Sequence, residues 1–108
     1  MENQREQRRH LITLPIAVTV VDKVLDAETH DISLGGVSIV NVSLTFGSRV
    51  GLRFSIPTQP EPIEVGGVVR WGGGALVGVQ FDGLRAREVW ALNKLFATPP
   101  SGVKVEKR

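Results

Sequence analysis

From Leu11 to Val21 the chain alternates: Ile12, Leu14, Ile16, Val18 and Val20 are separated by Thr13, Pro15, Ala17 and Thr19. That is the period-two pattern of a strand with one face in a core. Pro15 has no N–H to give to a ladder and marks an edge position or a bulge within the strand. A turn near Asp22 to Glu28 leads into a second strand that ends in Asp31-Ile32-Ser33-Leu34-Gly35-Gly36, and Val37 and Ile39 carry a third strand towards Val42. Phe46-Gly47-Ser48 punctuates the chain before Arg49 to Ile56, where Val50, Leu52, Phe54 and Ile56 alternate with Arg49, Gly51, Arg53 and Ser55. The prolines of Pro57 to Pro62 remove donors and fix dihedrals, so this segment is a loop. Ile63 to Trp71 resumes the sheet, and Gly72-Gly73-Gly74 turns it back as a hairpin into Ala75–Phe81.

The period then changes. Val89, Leu92 and Phe96 recur at helical spacing, with Leu95 widening the stripe. Asp82 is placed to cap a helix from Arg85 to about Phe96, and Pro99-Pro100 ends it. Six short strands followed by one late helix predict a mostly β chain, a small antiparallel six-stranded β-barrel with a C-terminal α-helix. Residues 1–10 are charged and polar without periodicity and read as a flexible arm. Residues 11–97 form the barrel and helix, and 98–108 hold too little apolar content to be more than a flexible tail.

With 108 residues there is room for one core, not two. The absence of cysteine excludes disulfides and thiolate metal sites, and His10 and His30 have no evident co-ligands, so neither metal nor cofactor is expected. No nucleophile, base and orienting group can be assembled, which argues against an enzyme and leaves no catalytic residues to name. The net charge is only +2, yet three arginines fall within the first nine residues. That asymmetry favours a small anionic ligand over duplex DNA. Arg8-Arg9 followed by Leu11–Val21 imitates a signal peptide, but the run alternates, is too short to span a bilayer and lacks a small-residue cleavage site. A cytoplasmic chain without membrane insertion is the expectation.

Within this frame Asp31–Gly36 stands out. On an extended chain Asp31 and Ser33 project from one face while Ile32 and Leu34 point to the other. Gly35 and Gly36 then supply either a conformation closed to other residues or room for close approach to the backbone. A strand ending in a glycine bulge would explain this stretch alone. A second cluster, Arg5-Glu6-Gln7-Arg8-Arg9, lies just before the first strand. Arg-x-x-x-Arg followed by [Asp/Asn]-x-Ser-x-x-Gly resembles the signature of the PilZ domain, a family of bacterial cyclic di-GMP receptors. Arg5 and Arg9 match the first element; Asp31, Ser33 and Gly36 match the second. The order of the later strands and the terminal helix also follows the family.

The resemblance implies a ligand, cyclic di-GMP, and a site made of those five residues. Arginine suits it because its planar fork can bond two phosphate oxygens, pair with the O6 and N7 edge of guanine or stack on the base. The Asp31 carboxylate is a strong acceptor for guanine N1–H and N2–H, Ser33 adds a smaller hydrogen-bonding group, and Gly36 lets ligand meet backbone. Ordering about five arm residues costs roughly 5–10 kcal/mol, and a charge-assisted hydrogen bond contributes about 1.5–3 kcal/mol. Several contacts must therefore form together. Arg8 reads either as a phosphate contact or as an exposed charge beside Glu6. Gln4 precedes the motif where family members with arginine take a stacked ligand pair, which leaves stoichiometry open. Gly35 borders the site. Trp71 reads as core or hairpin packing from its alternation with Val69, with base stacking at the barrel rim as the other reading. Trp90 lies outside the main helical stripe, where it covers the barrel or faces a partner.

The function implied is a receptor or adaptor whose arm changes conformation on binding and which regulates an unidentified downstream protein, in motility or exopolysaccharide control. Two other readings compete. One is a protein-interaction adaptor of the same fold that binds no nucleotide. The other is a small barrel for single-stranded nucleic acid, made weaker by few aromatics and no tyrosine. Oligomeric state is not legible.

Overall fold

The computed structural model describes residues 8–73, 75–97 and 105–107. Its strands are β1 (His10–Ile12), β2 (Pro15–Val20), β3 (Lys23–Ile32), β4 (Gly36–Val40), β5 (Arg49–Phe54), β6 (Ile63–Gly73), β7 (Leu76–Phe81) and β8 (Val105–Lys107). Among the described residues one helix, α1 (Ala86–Ala97), follows β7. The sheet runs β2-β5-β6-β7-β4-β3, and a further β2–β3 pairing closes it into the expected six-stranded antiparallel barrel. β1 extends the sheet from the far half of β3, and β8 pairs with β1. Thus 105–107, within the segment expected to be a flexible tail, join the sheet.

Alternation fills the barrel. Val50, Leu52 and Phe54 of β5 and Val77, Val79 and Phe81 of β7 are buried, while Arg49, Arg53 and Gln80 face out. Helix α1 closes the core with Ala91, Leu92, Leu95 and Phe96. Phe96 stacks on His10 of β1 at 4.0 Å between ring centroids, and Thr58 donates to the Ala91 carbonyl at 2.7 Å.

Three local expectations are corrected. The first strand is not continuous: it breaks at Thr13–Leu14 into β1 and β2. Pro15 has no N–H to give to a ladder, and buried Thr29 binds the interrupted backbone. Thr29 Oγ1 accepts the Leu14 N–H at 2.9 Å and donates to the Ile12 carbonyl, while the Thr29 N–H donates to the Leu14 carbonyl at 2.9 Å. Second, the turn after β2 is only Val21–Asp22, because Val20 pairs with Lys23. Residues 23–28 are strand, their inward positions disguised by the small Ala27. Third, Asp82 does not cap α1. The Glu88 carboxylate accepts the Arg85 N–H at 3.0 Å, the backward half of a capping box, and Asp82 pairs with Arg49.

Candidate functional site

The hairpin β3–β4 folds Asp31–Gly36 into a braced turn. Ser33 N–H donates to the Gly36 carbonyl at 2.9 Å. Ser33 Oγ accepts from Gly35 N–H at 3.1 Å and Gly36 N–H at 3.2 Å, an arrangement that serine favours in turns. Ser33 is buried, so its hydroxyl is engaged with the turn. The Gly35 carbonyl accepts the Phe81 N–H at 2.9 Å. Gly36 is needed for packing: a Cβ there would collide with the Val79 carbonyl of β7.

Two bulges decide which side chains face out. Between Thr29 and Asp31 the β3–β4 register shifts, so His30 and Asp31 together oppose Ser38. Thr29 and Ile32 both point inward, and Asp31 is released to the outer face. The second bulge lies between Val69 and Trp71, where Arg70 is the extra residue. It turns Trp71 out of register with buried Val69, correcting the core reading. Trp71 lies across Gly78, where any Cβ would strike the indole, and remains 43% exposed.

The pairings Asp31↔Ser38, Ser38↔Gly78 and Gly78↔Trp71 then form one row across four strands. Arg9 enters this row. Its Nη1 donates to Asp31 Oδ1 at 2.6 Å and stands 3.4 Å from Ser38 Oγ. His30 Nδ1 lies 3.1 Å from Asp31 Oδ2. Burial alone would raise the Asp31 pKa, but the hydrogen bonds from His30, Arg9 and Ser38 and the charge of Arg9 outweigh it, holding the carboxyl below the usual aspartate value. Asp31 is 4% exposed, whereas the Arg9 side chain is 39% exposed. The result is an anchored carboxylate beneath an accessible guanidinium, suited to a planar polar ligand edge and an adjacent anion.

The structure therefore joins Arg9 to Asp31, with Ser33, Gly35 and Gly36 bracing the turn behind them. Arg8 is exposed. Arg5 and Gln4 lie outside the described residues. Ser38 and His30 were missed. Ser38 could have been found by counting back across the Ser33–Gly36 turn; His30 could not, because only the bulge brings it beside its neighbour. No cluster of metal-ligating side chains occurs among the described residues, and no described helix is long and apolar enough to cross a membrane. A groove of about 410 Å³ lined by Pro15, Asp26, Arg53 and Pro62 shares no residue with the Arg9–Asp31 row.

Two solved structures show the same fold. An inhibitor of motility from Bacillus subtilis, MotI/DgrA, superposes with a TM-score of 0.71 at 16% identity, over 89% of this chain and 53% of that one. The chain thus spans about half of that protein. The PilZ domain of CeSA from a cellulose-synthesizing bacterium superposes with a TM-score of 0.62 at 16% identity, over 81% of this chain and 92% of that one. No curated protein matches in sequence. The family model of the PilZ domain matches residues 3–97, from before the arginine motif to the end of α1, and the chain belongs to the PilZ domain family.

Proposed function

We propose that this chain is a cyclic di-GMP receptor that regulates a partner protein. The observation that carries the reading is the Arg9–Asp31 contact, which brings two motif elements 22 residues apart to one place on the outer barrel face. Arg9 supplies a fork for phosphate or the guanine O6/N7 edge, and Asp31 supplies the acceptor for guanine N1–H and N2–H. Trp71, in the same row, offers a ring face to a base. Arg5, and with less weight Arg8 and Gln4, join from the arm as it closes over the ligand.

Output then passes to another protein. The accessible side of α1 carries Arg87, Trp90 and Lys94, with Trp90 61% exposed and Lys94 Nζ 4.8 Å from its ring centroid. Glu88, the one carboxylate of the helix, is buried and accepts the Arg85 N–H. Exposed tryptophan beside arginine is the composition of a binding hot spot, and the charge fits an acidic segment of a partner. The His10–Phe96 stack links this helix to the residue after Arg9, a route by which the arm's state reaches the helix. One similar structure is an inhibitor of motility and another comes from a cellulose-synthesizing bacterium, in keeping with motility or exopolysaccharide control from the cytoplasm.

Calorimetric titration with cyclic di-GMP tests the reading, with GTP as control and Asp31→Ala as variant. Selective binding that is lost in the variant is expected. No heat with the wild type at high ligand concentration would overturn it and leave the nucleotide-free adaptor.

A further inference from the structure

Among the described residues the barrel strands carry three exposed arginines. Two of them face carboxylates: Arg49 of β5 pairs with Asp82, and Arg53 of β5 pairs with Glu64. Arg70 of β6 differs. Its side-chain partner among the described residues is the neutral amide of Gln80, whose Oε1 accepts from Arg70 Nε at 2.7 Å. Only the Nε side of the fork is used, so the positive charge and both Nη groups remain for another molecule.

The sheet puts this guanidinium beside the row that carries Arg9, Asp31 and Trp71. The pairings Gly36↔Gln80 and Gln80↔Val68 run next to Ser38↔Gly78 and Gly78↔Trp71. Gln80 and Gly78, two apart on β7, share the outer face, as do Gly36 and Ser38 on β4. Gln80 thus stands between the motif glycine and β6. The bulge between Val69 and Trp71 supplies Arg70 as an extra residue. On a regular strand one of two neighbours would point into the barrel, but Arg70 and Trp71 are both exposed.

We propose that Arg70, aimed by Gln80, binds a phosphate of the ligand whose base lies on Trp71. The inference rests on the receptor reading above. A base on the indole carries its sugar and phosphodiester beyond the edge of the ring, and cyclic di-GMP has two such anions to neutralise. Arg9 stands at the Asp31 end of the row and Arg70 at the Trp71 end. Neighbouring strands are about 4.8 Å apart, so a row of four strands is on the order of 14 Å long. A ligand spanning it needs a cation at each end. The neutral partner matters as well, because glutamine orients the fork and leaves its charge to the phosphate, whereas a carboxylate in its place would pair with that charge.

The test is calorimetry with cyclic di-GMP at low and high salt on the wild type, Arg70→Ala, Gln80→Ala and the double variant. Arg53→Ala, which removes the same charge from β5, serves as control, and a thermal melt of each protein checks folding. Arg70→Ala is expected to weaken binding about tenfold or more, the loss of a charge-assisted hydrogen bond, and to make affinity less sensitive to salt. Gln80→Ala is expected to weaken binding by a smaller factor and to have no further effect once Arg70 is gone. Arg53→Ala is expected to bind as the wild type does. Wild-type affinity in a folded Arg70→Ala, an equal loss in Arg53→Ala, or the same effect of Gln80→Ala with and without Arg70 would each overturn the proposal while leaving the receptor reading standing. A wild type that binds no cyclic di-GMP would overturn both.

Discussion

Arg9 Nη1 meets Asp31 Oδ1 at 2.6 Å, and the pair is lopsided: the carboxylate is buried and the guanidinium is half in water. Replacing Arg9 therefore has unequal effects on fold and function. Arg9→Ala leaves Asp31 with His30 and Ser38, so the stability cost is about 1–2 kcal/mol, the scale of one hydrogen bond to a charged group reduced by solvent screening. Cyclic di-GMP affinity, which needs the fork, should fall by about a hundredfold or more. Urea unfolding and calorimetry on the same protein give both numbers. Wild-type-like affinity in the variant would count against the site.

The acid limb of stability follows from Asp31. Its pKa is lowered in the folded state, so the unfolded chain takes up the proton first as pH falls. The stabilisation is fully present above the unfolded aspartate value of about 4 and is lost as pH falls through the lower folded value. Urea midpoints of the wild type and Asp31→Asn between pH 7 and 2 should converge below about pH 4. A constant difference across the range would mean that some other carboxylate governs acid unfolding.

Gly78 and Trp71 make a coupled pair on the outer face. Any Cβ at Gly78 strikes the indole, so Gly78→Ala should destabilise by about 1–3 kcal/mol, the usual cost of overpacking, and displace Trp71. In a background lacking Trp71 the same substitution should cost much less. The double-mutant cycle isolates that coupling, and the indole N–H resonance of Trp71 reports the displacement. Equal costs in the two backgrounds would show that the Gly78 backbone, not the ring, demands glycine.

How much of this was legible in the chain depends on whether a feature is local. The inward sets of β5 and β7 follow the plain alternation Val50, Leu52, Phe54 and Val77, Val79, Phe81, and the motif elements are marked by residue type. The bulges at His30 and Arg70 are not, because an extra residue is defined only against a partner strand distant in sequence. Each bulge reverses the face of every later side chain on its strand. Hence alternation alone puts Trp71 on the face of Val69 and His30 on the face opposite Asp31. β3 was shortened for a related reason: Ala27 and Thr29 fill inward positions without looking apolar enough. The cap of α1 was misplaced because Asp82 is the better capping type, but it lies three residues before Arg85 and is paired with Arg49.

Val21 offers the simplest route to a more stable protein. It is the first residue of the two-residue β2–β3 turn, with φ of 58° and 93% exposure. A β-branched residue pays a steric penalty in this left-handed region and gains no burial in return. Asparagine, whose short polar side chain can hydrogen-bond locally, visits positive φ far more readily. Val21→Asn should stabilise by about 1 kcal/mol, which for a domain of this size raises Tm by about 4–8 °C. Val21→Gly should gain less, because its unfolded chain has more freedom to lose. The turn lies at the end of β3 away from Asp31, so nucleotide affinity should be untouched in both variants. Thermal melts and calorimetry on the three proteins check the order Asn above Gly above Val, and a Val21→Asn protein no more stable than the wild type would show that the turn relaxes around valine at no cost.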